Sequence, residues 1–448
     1  MRDQEPAAQE EKASALAVWA WAFYDFANTI FAISILSYCF PLWLGDELGA
    51  GAGFYNYIVA ASAFLVASTA PFLGSLADFR QRRRPYLVLL TILSVAATAA
   101  LTLSGGVAAG VTLFIVAVVT YQSALVFYNA LLPSVSVGRK AGRVSGYGIS
   151  LGYVGSIVAL LTLTVFVTRP EAMRALLGPL GGWIQTGSGH NANAFLPTAV
   201  LYLVFSLPAF LLVPDREVRE PRPFRFGDAF QEVVSTVRNF RGSGGLGLFI
   251  VATLLYTDAA NTAVTNMSLY GRQVFAMDQG QIRNLLLFST VFAVVGSVGF
   301  GFASDRFGPK RALLAVLVLW MAAILTATFA VAPWMLLVAG PLVGIALGAT
   351  WTVSRVMLLA LSPPEKLGES FGLYSIVGRL SAIMGPLLTG ALLTVFGGLG
   401  EALSYRISIG SLALVMLAGM VLLARVPDAR PGPAVAAFAP ETTTPEKV

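Results

Sequence analysis

Charge is scarce in this chain: 12% of its 448 residues are Asp, Glu, Lys or Arg, about half the fraction of a soluble domain. With 56% hydrophobic residues beside it, that scarcity excludes an ordinary soluble protein and implies a polytopic membrane protein. One cysteine, Cys39, excludes an intramolecular disulfide. One histidine, His190, in a Gly/Asn-rich stretch, cannot build a metal site alone. There is no phosphate-binding P-loop, no Gly-x-Ser-x-Gly and no metal-ligand cluster, so neither an enzyme nor a cofactor or metal is expected. The net charge of +6 would suggest nucleic acid in a soluble chain, but the basic residues stand in short loops between apolar runs. Membrane orientation explains them there, and no nucleic-acid partner is expected. The polar stretch Met1 to Lys12 precedes an apolar run too long for a signal-peptide core and is expected to stay on the mature protein.

Runs of about 20 apolar residues, each enough to cross a bilayer, occur twelve times, at 16–44, 54–77, 86–104, 107–133, 145–168, 194–213, 246–270, 283–303, 310–331, 333–361, 370–395 and 402–424. Of the 29 Lys and Arg, 22 fall in the loops on one side, 5 on the other, and Arg355 and Arg379 within spans. The positive-inside rule therefore places both termini in the cytoplasm. The long connection 214–245 divides the chain. Phe230, Val233, Val234, Val237 and Phe240 stand there at helical spacing behind an Asp228/Gln231 capping box, which reads as an amphipathic helix on the inner membrane face or packed under the bundle. Arg169 to Asn193 reads as a Gly-rich outer loop, and 425–448, rich in Pro, Ala and Thr, as a disordered tail.

Against this apolar background, Asp25-Phe26-Ala27-Asn28-Thr29 recurs as Asp258-Ala259-Ala260-Asn261-Thr262, 233 residues later. In each copy the Asp, Asn and Thr share one helix face. A carboxylate inside a span costs roughly 2.5 to 3.5 kcal/mol on insertion scales, so it faces the bundle interior and by default marks a pathway. Gly74-x-x-x-Asp78 with Arg83-Arg84 recurs as Gly301-x-x-x-Asp305 with Lys310-Arg311, and Lys140-x-Gly142-x-x-x-Gly146 as Lys366-x-Gly368-x-x-x-Gly372. Two halves of six spans follow, 1–213 and 246–424. Six is even, so both halves enter the membrane in the same direction, with a cavity expected between them.

The run Gly301-x-x-x-Asp305-Arg306-x-Gly308-x-Lys310-Arg311 resembles the signature of the major facilitator superfamily, and Gly74 to Arg84 a degraded copy with Phe79 where Arg306 stands in the second. Trp21-x-x-Tyr24-Asp25-Phe26-Ala27-Asn28-Thr29 resembles the opening of the branch that includes the autophagy-related vacuolar amino-acid effluxers and their bacterial relatives. The resemblance implies an all-α fold of 12 transmembrane helices in two parallel repeats, alternating access, and a cytoplasmic gate at Gly74, Asp78, Gly301, Asp305, Arg306 and Gly308. Asp305 is expected to matter more to transport than Asp78, because only its loop carries Arg306 and Gly308.

The expected substrate is a small polar solute, amino acids by the subfamily resemblance, with proton-coupled efflux from a monomer in a bacterial inner membrane. Candidate substrate or proton residues are Asp25, Asn28, Asp258, Asn261, Arg355, Arg379, Tyr24 and Trp351. An amino-acid zwitterion needs both charges met in a low-dielectric cavity; Arg355 or Arg379 could take the carboxylate and Asp25 or Asp258 the ammonium. Efflux of amphipathic drugs or lipids would need an aromatic cavity, which Tyr24, Tyr128, Tyr256 and Trp351 could line. A non-transporting receptor or scaffold is the alternative of another class. The glycines of span 5, Gly148 and Gly152 among them, read as close-packing surface.

Overall fold

The computed structural model describes residues 14–49, 82–136, 140–187, 190–215, 245–277, 279–363 and 366–429, with scattered positions between 55 and 76. Gly74 and Asp78, the 216–244 part of the connection with its expected amphipathic helix, and the tail from 430 lie outside the described residues, as does the side chain of Arg379. All regular structure among the described residues is helical, and ten helices are long and apolar enough to cross a membrane.

The helices, in chain order, are α1 (Ala15–Leu42), α2 (Arg84–Leu101), α3 (Val107–Ala130), α4 (Ala141–Thr168), the short α5 (Pro170–Leu177), α6 (Phe195–Leu212), α7 (Leu246–Phe275), α8 (Gln279–Phe307), α9 (Pro309–Thr328), α10 (Leu336–Leu361), α11 (Leu367–Phe396) and α12 (Glu401–Arg425), the ten being all of these but α5 and α11. Apart from α5, each matches an expected span; the run 54–77 is described only in part. The stretch after α4, expected as an outer loop, is not a plain loop. Pro170 at the first helical position and Glu171 in the first turn start α5, as the helix dipole favours.

Ser14 caps α1, its hydroxyl accepting from the Ala17 amide at 3.1 Å. Beyond Phe31 the helix widens to π-type bonding over Ala32–Cys39. Pro41 follows at once, without an amide hydrogen to continue the ordinary ladder. In the first half, α1 packs on α4 and α6, and α2 on α3 and α6. In the second, α7 packs on α11 and α12, while α8 and α9 flank α10. The halves meet where α4 crosses α8 and α10 and where α3 meets α11. Each half has its own apolar core, one around Phe31, Phe40, Phe114 and Phe195, the other around Phe249, Leu313, Trp320 and Met416.

Small residues set how closely these helices approach. A Cβ at Gly344 or Gly348 of α10 would run into the backbone of Ser289 or Ala293 of α8. Gly344→Val and Gly348→Val are therefore expected to lower stability by about 1–3 kcal/mol or more, read as thermal unfolding of the purified protein. Gly299→Ala, at a position with open space around it, should leave the melting curve within a degree or two; equal effects would remove close packing as the cause.

Candidate functional site

Asp25 lies three turns into α1, buried to 3% exposure, and what meets it comes from the other half of the molecule. Arg355 of α10 reaches across as a two-pronged donor, Nη1 to Oδ2 at 2.8 Å and Nη2 to Oδ1 at 3.3 Å. This fork geometry is the strong form of an Arg–carboxylate pair. Asn28, one turn on from Asp25, donates to Oδ1 from Nδ2 at 3.2 Å. The guanidinium carbon stands 5.9 Å from the Trp21 ring and 5.6 Å from that of Tyr128, close enough for cation–π attraction.

Both partners are firmly held. Tyr128 stacks on Trp21 at 4.5 Å and on Tyr24 at 4.8 Å, and its carbonyl accepts from Trp21 Nε1 at 3.1 Å, which ties α3 to α1. Gly148 of α4 leaves the space that Asp25 and Tyr128 share, for a Cβ there would sit 2.8 Å from Asp25 Oδ2 and 3.3 Å from the Tyr128 hydroxyl. Around Arg355, Ser354 and Tyr256 share a hydrogen bond of 2.8 Å that joins α10 to α7. Trp320 Nε1 donates to Thr350 Oγ1 at 2.9 Å, joining α10 to α9.

The pair borders a cavity of about 520 Å³ between the halves. Its walls are Asp25, Asn28, Thr29 and Ala32 on α1; Tyr121, Gln122, Leu125, Val126 and Asn129 on α3; Ile149, Gly152 and Tyr153 on α4; Trp351 and Arg355 on α10; and Phe371, Tyr374 and Gly378 on α11. Of the candidate residues, Asp25, Asn28, Trp351 and Arg355 come together here. Tyr24 does not: its ring is fully buried behind α1 and its hydroxyl bonds Thr91 at 2.7 Å and Tyr202 at 3.3 Å. Tyr256 is likewise buried, engaged with Thr253 and Ser354. The amides Gln122 and Asn129 are cavity residues that the sequence reading passed over. Both stand in an apolar run, as Asn28 does, and that was the available signal.

Asp258 and Asn261 are not part of the cavity wall. Asp258 is 2% exposed and its Oδ1 accepts from the Gly385 amide of α11 at 2.6 Å; Asn261 Nδ2 donates to Ser381 at 3.4 Å. The duplication nevertheless extends into the packing. Gly152 of α4 faces Thr29 and Gly385 of α11 faces Thr262, glycines and threonines alike standing 233 residues apart.

At the end of the bundle where α1 begins, the halves are closed on each other. Gly301, Asp305 and Arg306 form the last turns of α8 rather than a loop. Asp305 accepts from the amides of Gly142 at 2.9 Å and Arg143 at 3.0 Å, the free N–H groups at the start of α4. Arg143 Nε pairs with it at 3.5 Å and stacks over Phe302. Arg306 stands over Phe307 instead, so the cation facing Asp305 is supplied by the other half. A Cβ on Gly142 would lie 2.5 Å from the Gly301 carbonyl, and one on Gly146 2.6 Å from that of Ser297. Gly308, at φ +91°, makes the turn into α9 in a backbone region that favours glycine.

Asp305→Asn removes the charge from the start of α4, about 0.3–1 kcal/mol and up to about 2 in partly buried settings, together with one of its two acceptors. The closed end should then open more often. A cysteine placed at Ser297, at this contact, is expected to react about tenfold faster with a water-soluble thiol reagent in the Asp305→Asn background. Unchanged labelling would mean that Asp305 does not hold the end shut.

Two helical halves that meet face to face, with a charge pair in the cavity between them, define a secondary transporter of the major facilitator superfamily. Residues 49–432 match the family described as "Vacuole effluxer Atg22 like", and the chain belongs to that family. It is 26% identical over 418 residues to an uncharacterized MFS-type transporter, YxiO, of Bacillus subtilis, covering 91% of this chain and 94% of that one. The multidrug resistance protein MdtG of Salmonella arizonae is 25% identical over 382 residues, covering 82% and 86%. Among solved structures, the human organic anion transporter MFSD10 superimposes with a TM-score of 0.69 at 14% identity, covering 94% of this chain and all of that one. The transporter FucP in its outward conformation gives 0.68 at 14% identity, covering 91% and 98%. At such identities these structures establish the fold. The relatives are transporters rather than enzymes, and the chain is an integral membrane protein that handles a small-molecule substrate.

Proposed function

We propose that this chain exports amino acids by alternating access, with a proton as the coupling ion. The observation that carries the reading is the two-pronged Asp25–Arg355 pair on the cavity wall. A zwitterion can exchange with such a pair, its ammonium taken by Asp25 and its carboxylate by Arg355, so that no charge stays unmatched in the low-dielectric interior. A cationic or anionic solute would leave one partner uncompensated. The word "effluxer" in the family's description supports the direction.

In this reading the halves 1–213 and 246–424 rock about the cavity, joined by 214–245 and followed by the tail 425–448. The contact between α4 and α8 closes the cytoplasmic end, so the cavity faces outward. The chain works as a monomer in a bacterial inner membrane with both termini in the cytoplasm. Arg379 stays a candidate on α11 beside Gly378 of the cavity wall.

A second reading, efflux of amphipathic compounds, is favoured by the aromatic wall of Tyr121, Tyr153, Trp351, Phe371 and Tyr374 and by the likeness to MdtG. Proteoliposome flux against an amino-acid panel and a panel of lipophilic cations, with and without a proton gradient, separates the two. Amino-acid flux that follows the proton gradient supports export of zwitterions. Flux of the lipophilic cations alone moves the assignment to drug efflux, and binding without movement of either marks a receptor.

A further inference from the structure

Two cavity residues, Asn129 and Tyr374, carry a buried side-chain oxygen without a hydrogen-bond partner among the described atoms, and Asn129 is the one that stands on the helix of Tyr128. It lines the cavity from the inner end of α3, one residue past Tyr128, whose ring lies beside the Arg355 guanidinium and whose hydroxyl shares the space at Gly148 with Asp25. Its side-chain oxygen is buried and has no donor among the described atoms, an unfavourable state for an amide oxygen. The other amides differ. Asn28 is engaged with Asp25, and Gln122 stands two helical turns away, about 10 Å along α3.

Resting on the reading of the cavity as a zwitterion site, we propose that Asn129 is the specificity-determining residue for a primary ammonium group. Such a group has three N–H donors fanned around the C–N bond. The two Asp25 oxygens, one already accepting from Asn28, take those that replace the Arg355 fork. The Asn129 Oδ1, on the neighbouring helix, accepts the one left over. An amine bearing two N-methyl groups keeps a single N–H, which Asp25 satisfies, and gains nothing from Asn129. The site therefore selects primary amino acids over N-methylated ones and over hydroxy acids, which lack the ammonium altogether.

The test uses the full chain, purified for thermal-shift binding and reconstituted for flux, with glycine, L-alanine, L-phenylalanine and L-lysine, each beside its N,N-dimethyl derivative. The native protein is expected to bind the primary amines about tenfold or more tightly than their dimethyl forms. Asn129→Leu, similar in size but without an acceptor, should weaken the primary amines about tenfold and leave the dimethyl forms within about threefold. Asn129→Asp, which only accepts, should keep the preference for primary amines, and it carries the test if the leucine variant does not fold. An equal loss for both forms in Asn129→Leu, no loss at all, or an Asn129→Asp protein without the preference overturns the proposal. If the native protein binds none of the eight compounds, the amino-acid reading falls and takes this inference with it. That failure is visible before any variant is made, and so is distinct from failure of Asn129 alone.

Discussion

Arg355→Ala is expected to abolish transport and to lower the melting temperature sharply, because it leaves the Asp25 carboxylate buried at 3% exposure without a cation against it among the described residues, although Asn28 still donates to it. Removing one member of a buried ion pair costs about 3–5 kcal/mol, mostly through the charge left behind. The same logic makes Asp25→Asn destabilising, since the stranded charge is then Arg355 itself. Neutralising both positions, Asp25→Asn with Arg355→Gln, strands neither and should recover much of the lost stability while flux stays absent. Arg355→Lys keeps the charge and loses the fork, so the fold should hold and substrate binding should weaken by about tenfold. Thermal unfolding beside counterflow in proteoliposomes reads all four variants. If Arg355→Ala melts within a degree of the native protein and still transports, the pair is incidental.

Asp258→Asn is expected to do the opposite, sparing the fold and removing the response to a proton gradient. The amide oxygen of Asn can still accept from Gly385, as Asp258 Oδ1 does at 2.6 Å, and no described side chain forms an ion pair with Asp258 that the change would break. What is lost is the capacity to take up and release a proton. Exchange of substrate across the membrane at equal pH should continue in this variant, whereas acceleration by a proton gradient should vanish. The two duplicated acids would thus divide the work, Asp25 on the cavity wall meeting substrate and Asp258 behind it between α7 and α11 carrying the proton. If Asp25→Asn and Asp258→Asn both move substrate with an unaltered pH dependence, the carboxylates are structural and this division is wrong.

The duplicated Asp-x-x-Asn-Thr runs show how far the sequence reaches. Their spacing placed both acids on inward faces of α1 and α7, and burial of 3% and 2% agrees. Identical local patterns then met different surroundings. Asp25 faces Arg355 from the other half, whereas Asp258 faces a backbone amide of its own half. Spacing along one helix reports which residues share a face and carries no information about which helix comes to lie opposite. Tyr24 illustrates the same limit. One residue before Asp25, it points about 100° away around the helix and is engaged by Thr91 and Tyr202 rather than exposed to the cavity.

By itself the sequence determined the class of protein, the helical spans that the structure describes, the duplication, and the residues costly enough inside a membrane to require a purpose. These follow from solvation, which acts on each segment locally: apolar length against bilayer thickness, and the price of a lone charge in hydrocarbon. Only the tertiary structure decided that Arg355 pairs with Asp25, that Arg143 rather than Arg306 faces Asp305, and that Asn129 and Gln122 border the cavity while Asp258 and Asn261 do not. Those outcomes depend on how closely glycine-bearing faces bring α4 to α8 and α10 to α8. Such approach is settled by shape complementarity between segments that stand from 55 residues apart, as Ser289 and Gly344 do, to 159 apart, as Gly142 and Gly301 do, which no local pattern encodes.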